Sequence, residues 1–238
     1  MSKLFAGGAL AALVVMTAAA ARCQYLEQPR TYVPSDARYL SAGIFERDFR
    51  PRGTNTAPES LAVSYTRVMP LVGFRQGPIE FLFGYTTYDL HAASRAAIYF
   101  GVIFSGDYVI AGNRERALVL PLVVDADFTK SESAGSLHDN FNVGSVGLGT
   151  GLKYRINSPS VDFWVSAEAI IHYSFDGYNL DTGSSPAAIA EAVAVLPGVG
   201  ILDGLAVGYR FRYQAWSLGG GRYDYKTVNN GVFLGVLF

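Results

Sequence analysis

Few residues of this chain carry groups suited to acid–base or nucleophilic chemistry, and those few cluster. Asp125 and Asp127 stand two apart, and His172 is one of three histidines in 238 residues. Two carboxylates beside an imidazole can activate a water, one group taking its proton while another orients it. Ser174 follows two residues after His172, which puts a hydroxyl and an imidazole on one face of an extended strand, the ingredients for attack on an ester. Asp125, Asp127 and His172 are therefore the candidate catalytic residues. Gly147, Gly149 and Gly151 imitate a phosphate loop, but no Gly-Lys-Ser or Gly-Lys-Thr follows them, so they read as a smooth strip of a strand. His91 and His138 are isolated in polar stretches and Cys23 is the sole cysteine. That pattern predicts no metal site, no intramolecular disulfide and no cofactor.

The elements that must position these residues alternate with a period of two. From Val161 to Phe175 one face reads Val161, Phe163, Val165, Ala167, Ala169, Ile171, Tyr173, Phe175. The other face reads Asp162, Trp164, Ser166, Glu168, Ile170, His172, Ser174. Fifteen alternating residues exceed an ordinary globular strand and suit a tilted strand crossing a bilayer. The same test marks ten strands, near 39–49, 60–75, 77–89, 95–108, 116–128, 141–156, 160–175, 187–199, 204–215 and 229–238. Phase slips near Arg67–Met69 and Gly144–Ser145 predict bulges. Short links alternate with longer, polar ones near 50–59, 89–95, 129–140, 176–186 and 216–228, which is the habit of an up-and-down barrel with both termini on one side. Ser185-Pro186 ahead of an alanine-rich run also reads as a capped helix over 186–199. That alternative leaves nine strands, or eight if the first is dropped, and eight would put the tight turns on the outer side. The strand reading, with Glu191 facing inward, is preferred.

Composition selects the surroundings. Half of the residues are hydrophobic and only 16% are charged, against about 25% in a soluble domain. The mean hydropathy is +0.21. A soluble barrel would alternate too, but would need a highly charged exterior, and this chain has four lysines. Glu80, Asp125, Asp127, Lys153, Arg155, Asp162, Glu168, His172, Glu191, Arg210 and Arg212 all fall opposite the apolar rows, which predicts a polar lumen network of paired charges. Tyr39, Tyr85, Tyr154, Tyr173 and Tyr213 are candidates for interfacial girdles. A net charge of −1 leaves no basic surplus for nucleic acid. Lys3 followed by the uncharged run Leu4–Ala21, ending in small residues, reads as an export signal over 1–21. Arg22 before Cys23 is a poor fit to a lipidation site. Residues 22–38 read as a periplasmic lead-in and 39–238 as the barrel domain.

The chain closes on Val232, Leu234, Val236 and Phe238, one apolar face ending in an aromatic. This resembles the closing strand of bacterial outer-membrane barrels, where a terminal Phe and apolar residues at alternate positions are recognised by the insertion machinery. Phe233 and Leu237 depart from that pattern in being apolar on the opposite face. The resemblance implies an outer-membrane location, with the bilayer and the insertion machinery as partners and an extracellular ligand or surface open to the loops. It is silent on activity. Ten strands is also the size of the omptin proteases, but their motif has no match here. The expected fold is an all-β, closed antiparallel transmembrane barrel. The expected role is non-enzymatic, structural or surface-interacting. A narrow small-solute pore is the first alternative, and an outer-rim hydrolase of omptin-like or lipid-modifying type the second. Deleting Phe238 is expected to cut the yield of folded, inserted protein several-fold, read as loss of the heat-dependent mobility shift in SDS gels; normal insertion would remove the role given to the terminus.

Overall fold

The computed structural model describes residues 38–238 apart from 60, 114, 136–138, 178–180 and 200–202. The expected export signal, Cys23 and all of the lead-in but Arg38 lie outside the described residues, as does His138. Ten long strands follow in order: β1 Arg38–Pro51, β2 Tyr65–Gln76, β3 Ile79–Leu90, β4 Ala93–Gly112, β5 Arg116–Ser131, β6 Phe141–Ser158, β7 Val161–Asp176, β8 Thr182–Pro197, β9 Gly204–Ala215 and β10 Tyr225–Leu237. Each pairs antiparallel with the next, and β10 returns to pair with β1, from Tyr39 opposite Leu237 to Pro51 opposite Tyr225. Ser217–Leu218 extends the wall above β9 by pairing with Gly183–Ser184. Closure gives every long strand a neighbour on each side, with only the loop-end part of the β2–β3 seam beyond Leu71 and Gly84 left unladdered; a bilayer demands such closure because it offers backbone groups no hydrogen-bond partner.

The disputed segment is strand. Residues 182–197 pair on both sides, with β7 and with β9. Alanine's helix preference is worth only tenths of a kcal/mol per residue, and two complete ladders override it. Eight strands is thereby set aside. Three further expectations are corrected. The β1–β2 and β5–β6 registers run unbroken past Arg67–Met69 and Gly144–Ser145, and the register shift lies instead between Val109 and Ala111 on β4. At 67–69 the inward phase survives; only the β2–β3 ladder stops, at Leu71, next to Pro70, which has no N–H to donate. The link near 89–95 is not a long loop but a two-residue turn, His91–Ala92, with positive φ at both residues (51° and 64°). That is the backbone of the tight primed turns that match strand twist. Tyr39, finally, is buried inside the barrel and is no girdle residue, whereas Tyr85, Tyr154 and Tyr173 are exposed on the outside.

The inside and outside are inverted relative to a soluble protein. Ile171, Leu148 and Leu234 are 73%, 70% and 65% exposed. Asp125, Lys153, His172, Glu191, Arg210 and Arg212 are buried. Water would penalise that exterior at about 25 cal/mol per Å²; a hydrocarbon slab does not. The barrel is therefore a transmembrane one. Substituting Leu148→Arg, near the middle of β6, is expected to destabilise the folded barrel in liposomes by about 2–4 kcal/mol, measured by urea titration. Unchanged stability would contradict the assignment of that face to lipid.

Candidate functional site

The charged lumen residues form two groups stacked along the barrel axis. Both are anchored on β9, where Arg210 and Arg212 occupy successive inward positions. The group nearer the loops holds Asp125, Asp127, His172 and Arg212. Register brings them together: Asp125 stands opposite Gly147, and Gly147 opposite His172. A side chain at 147 would collide with the imidazole, since a Cβ there would lie 2.5 Å from its Cδ2. The glycine strip thus makes room for His172 to cross β6 and reach Asp125. Its Nε2 lies 2.9 Å from Asp125 Oδ2, and its Nδ1 lies 2.8 Å from the Ser185 carbonyl oxygen. Arg212 Nη2 donates to Asp125 Oδ2 and Asp127 Oδ2, both at 2.7 Å, and Gln214 Nε2 donates to Asp127 at 3.0 Å. Ser174 shares hydrogen bonds with Ser145 and Ser185, and Trp216 Nε1 donates to Ser145.

The group nearer the turns holds Glu80, Glu191, Arg210 and Arg75. Arg210 bridges Glu191 on the adjacent strand and Glu80 across the lumen, the latter at 2.7 Å. Trp164 Nε1 donates to Glu191 at 3.0 Å, and the Arg75 guanidinium stacks 5.1 Å from the Trp164 ring. Two local pairs lie beside it: Lys153 with Asp107 at 2.7 Å, and Arg155 with Asp162. Glu168 makes none of these ion pairs and faces a small cavity with Lys153, Trp164 and Glu191. Between the groups sits an apolar layer that includes Leu82, Ile103 and Ile189. The loop end is capped by aromatics: Phe49 packs on Tyr65, Phe141 and Tyr225 with ring centroids 4.9–5.4 Å apart, and Trp216 packs on Phe141 at 5.1 Å. The turn end is packed by Tyr39, Phe233, Val193 and Val195.

This geometry bears directly on the chemistry suggested by Asp125, Asp127 and His172. They are not at an outer rim; they are fully buried beneath the aromatic cap. Both imidazole nitrogens face acceptor oxygens, so neither is free to draw a proton from a hydroxyl or a water. Ser174 Oγ is bonded to other serines rather than to the ring. The three side chains could place metal-ligating atoms within 4.8 Å of one another, but the Arg212 guanidinium already lies against both carboxylates where a cation would sit. Sequence reasoning missed Arg47, Arg75, Asp107 and Gln214, all buried. Arg47 and Arg75 share the inward phase of Phe45 and Gly73 on their strands, which was the available signal. Outside the bilayer span, Glu132 is held below the usual carboxylate range, chiefly by its hydrogen bond from Lys130 Nζ and then by the Ala96 N–H.

No protein-family model matches the sequence, and no curated protein matches it. Similar solved structures include Neisserial surface protein A, at 11% identity and a TM-score of 0.38, covering 87% of this chain and 99% of that one. The beta domain of the Bordetella autotransporter BrkA is similar at 12% identity and a TM-score of 0.37, covering 85% and 100%. The outer membrane protease OmpT of Escherichia coli is similar at 8% identity and a TM-score of 0.35, covering 87% and 99%.

Truncating one partner of a buried ion pair strands the other in a poorly solvating interior. Arg210→Met is therefore expected to cost about 3–5 kcal/mol in denaturant titrations. Adding Glu80→Gln and Glu191→Gln should recover part of that loss, and a triple variant no more stable than the single one would show that the charges do not depend on each other.

Proposed function

We propose that this protein is a closed, non-enzymatic barrel of the bacterial outer membrane that acts through the surface its loops present. The observation carrying this reading is the filled lumen. An aromatic cap, an ion group, an apolar layer, a second ion group and a final apolar plug follow one another from loop end to turn end. Two cavities among the described residues, one within the turn-end group and one beside Arg210 and Arg212, have water-accessible volumes of about 30 and 20 Å³, room for one or two waters each. The catalytic geometry that would favour a hydrolase is missing its free base. An export signal over residues 1–21, a lead-in over 22–38 and recognition of Val232, Leu234, Val236 and Phe238 by the insertion machinery belong to the same reading.

The loops favour a fixed surface over a mobile gate. Arg52 Nη1 donates to the Trp216 carbonyl at 3.2 Å, and Asn55 Nδ2 donates to the carbonyls of Arg222 and Asp224, both at 3.1 Å. Thr54 hydrogen-bonds to Asp224, and Arg222 pairs with Asp139 from a third loop. Such crosslinks hold a contact surface in one shape before a partner arrives, which lowers the entropy cost of binding. In planar bilayers the refolded chain is expected to give no discrete conductance steps. Reproducible steps would overturn this reading in favour of a narrow pore. Hydrolysis of a peptide or phospholipid that disappears in folded Asp125→Ala and His172→Ala barrels would overturn it in favour of an enzyme.

A further inference from the structure

Arg75, Arg210 and Lys153 of the turn-end group meet Glu80, Glu191 and Asp107 one for one. Arg155 and Asp162 neutralise each other beside them. The loop-end group lends no cation, because Arg47 and Arg212 are matched there by Asp125 and Asp127. Glu168 is the carboxylate that these groups leave without a counter-charge. Among the described residues it takes part in no hydrogen bond and no ion pair.

Register explains why. On its two sides Glu168 stands opposite Gly151 and Ile189, which have no side-chain donors. Glu191, one inward position away across the β7–β8 ladder, stands opposite Ser166 and Arg210. Both Glu191 oxygens already accept hydrogen bonds, one from Trp164 and Arg75, the other from Arg210. Glu168 shares a cavity with Glu191, Glu80, Lys153 and Arg75, and its water-accessible volume is about 30 Å³. That admits a water or two, far short of the hydration a carboxylate has in bulk water. An ionised carboxylate so placed is costly, and carboxylates that share a confined site resolve the conflict by protonating the one with the fewest donors. Lys153 does not remove the conflict, since its ammonium lies 2.7 Å from Asp107.

We propose that Glu168 binds a proton inside the folded barrel and holds it as a neutral carboxylic acid at about pH 7. The turn-end group is then electrically balanced. Ser166, buried at the preceding inward position of β7, lines the same cavity and gives the acid hydroxyl an oxygen to meet, with a water between them. In the unfolded chain a glutamate is ionised at this pH, so folding takes up one proton and unfolding releases it. The stabilisation is complete in acid and falls away as the pH rises, since each step upward favours the chain that has let the proton go. The turn end of the barrel is thereby its pH-sensitive end: above neutrality an ionised Glu168 competes with Asp107 for Lys153.

Infrared spectroscopy of the full chain, refolded into a detergent free of ester groups, reads a protonated carboxyl by its carbonyl stretch, which is separate from the carboxylate bands. The expected result at about pH 7 is such a band in the unaltered protein and its loss in Glu168→Gln. No band in the unaltered protein would overturn the proposal. A band that persists in Glu168→Gln would place the proton on another carboxyl and overturn it too. Failure of Glu168→Gln to refold would also count against it, because glutamine is the isostere of the neutral acid. Stability gives a second reading. In urea titrations at stepped pH, the unfolding equilibrium constant of the unaltered chain should rise across neutrality by about tenfold more per pH unit than that of Glu168→Gln, the signature of one proton released. Parallel curves for the two chains would refute the assignment.

Discussion

Two arginines two residues apart on β9 hold the interior together, and the bilayer is the reason they must. A hydrocarbon exterior leaves the polar half of every alternating strand nowhere to go but inward. The lumen is narrow, so the groups that arrive there lose most of their water. Arg210 and Arg212 turn this liability into two closed circuits, one binding Glu80 and Glu191, the other Asp125 and Asp127. Ion pairs of this kind contribute little net stability compared with a well-packed apolar core. Their value lies elsewhere: breaking one partner would strand the other in a poorly solvating interior, so the pairs fix which side chains meet across the lumen. Pairing inside the barrel offsets the cost of burying charge on alternate positions of the strands.

The strands and their faces were legible in the sequence because a side-chain period of two is a strict consequence of the pleat, and lipid on one side enforces it. Val161–Phe175 and Glu191 could be assigned to faces without any knowledge of neighbours. What escaped depends on register between strands. The meeting of Asp125 and His172 across Gly147 follows from two ladder offsets, and no single strand encodes an offset. The same holds for the contact between Arg75 and Trp164. Tyr39 was misplaced because a tyrosine near a strand end suits either a membrane interface or a lumen plug, and only strand phase separates the two. The His91–Ala92 turn was hidden because neither residue is of the type that usually supplies positive φ.

The three candidate residues show why residue type alone does not assign chemistry. Residue types suited to general acid–base work are also the types that neutralise one another, and composition cannot tell a poised group from a spent one. His172 is spent, with one nitrogen on a carbonyl and the other on Asp125. The serine cluster beside it is spent on itself. Reactivity needs an unsatisfied valence facing a substrate, and beneath the cap the unsatisfied atoms belong chiefly to Arg47, Arg212 and the far oxygens of the two aspartates.

The position of both key arginines on β9 also divides charge unevenly along the chain. Glu80 lies on β3, Asp125 and Asp127 on β5 and Glu191 on β8, whereas the guanidiniums that bind them most closely both lie on the ninth strand. The contacts that balance them therefore span the sequence: Arg210 reaches back 130 residues to Glu80, and Arg75 on β2 reaches forward 116 residues to Glu191. Neutrality of the interior is a property of the closed cylinder as a whole, and no contiguous stretch of strands possesses it alone.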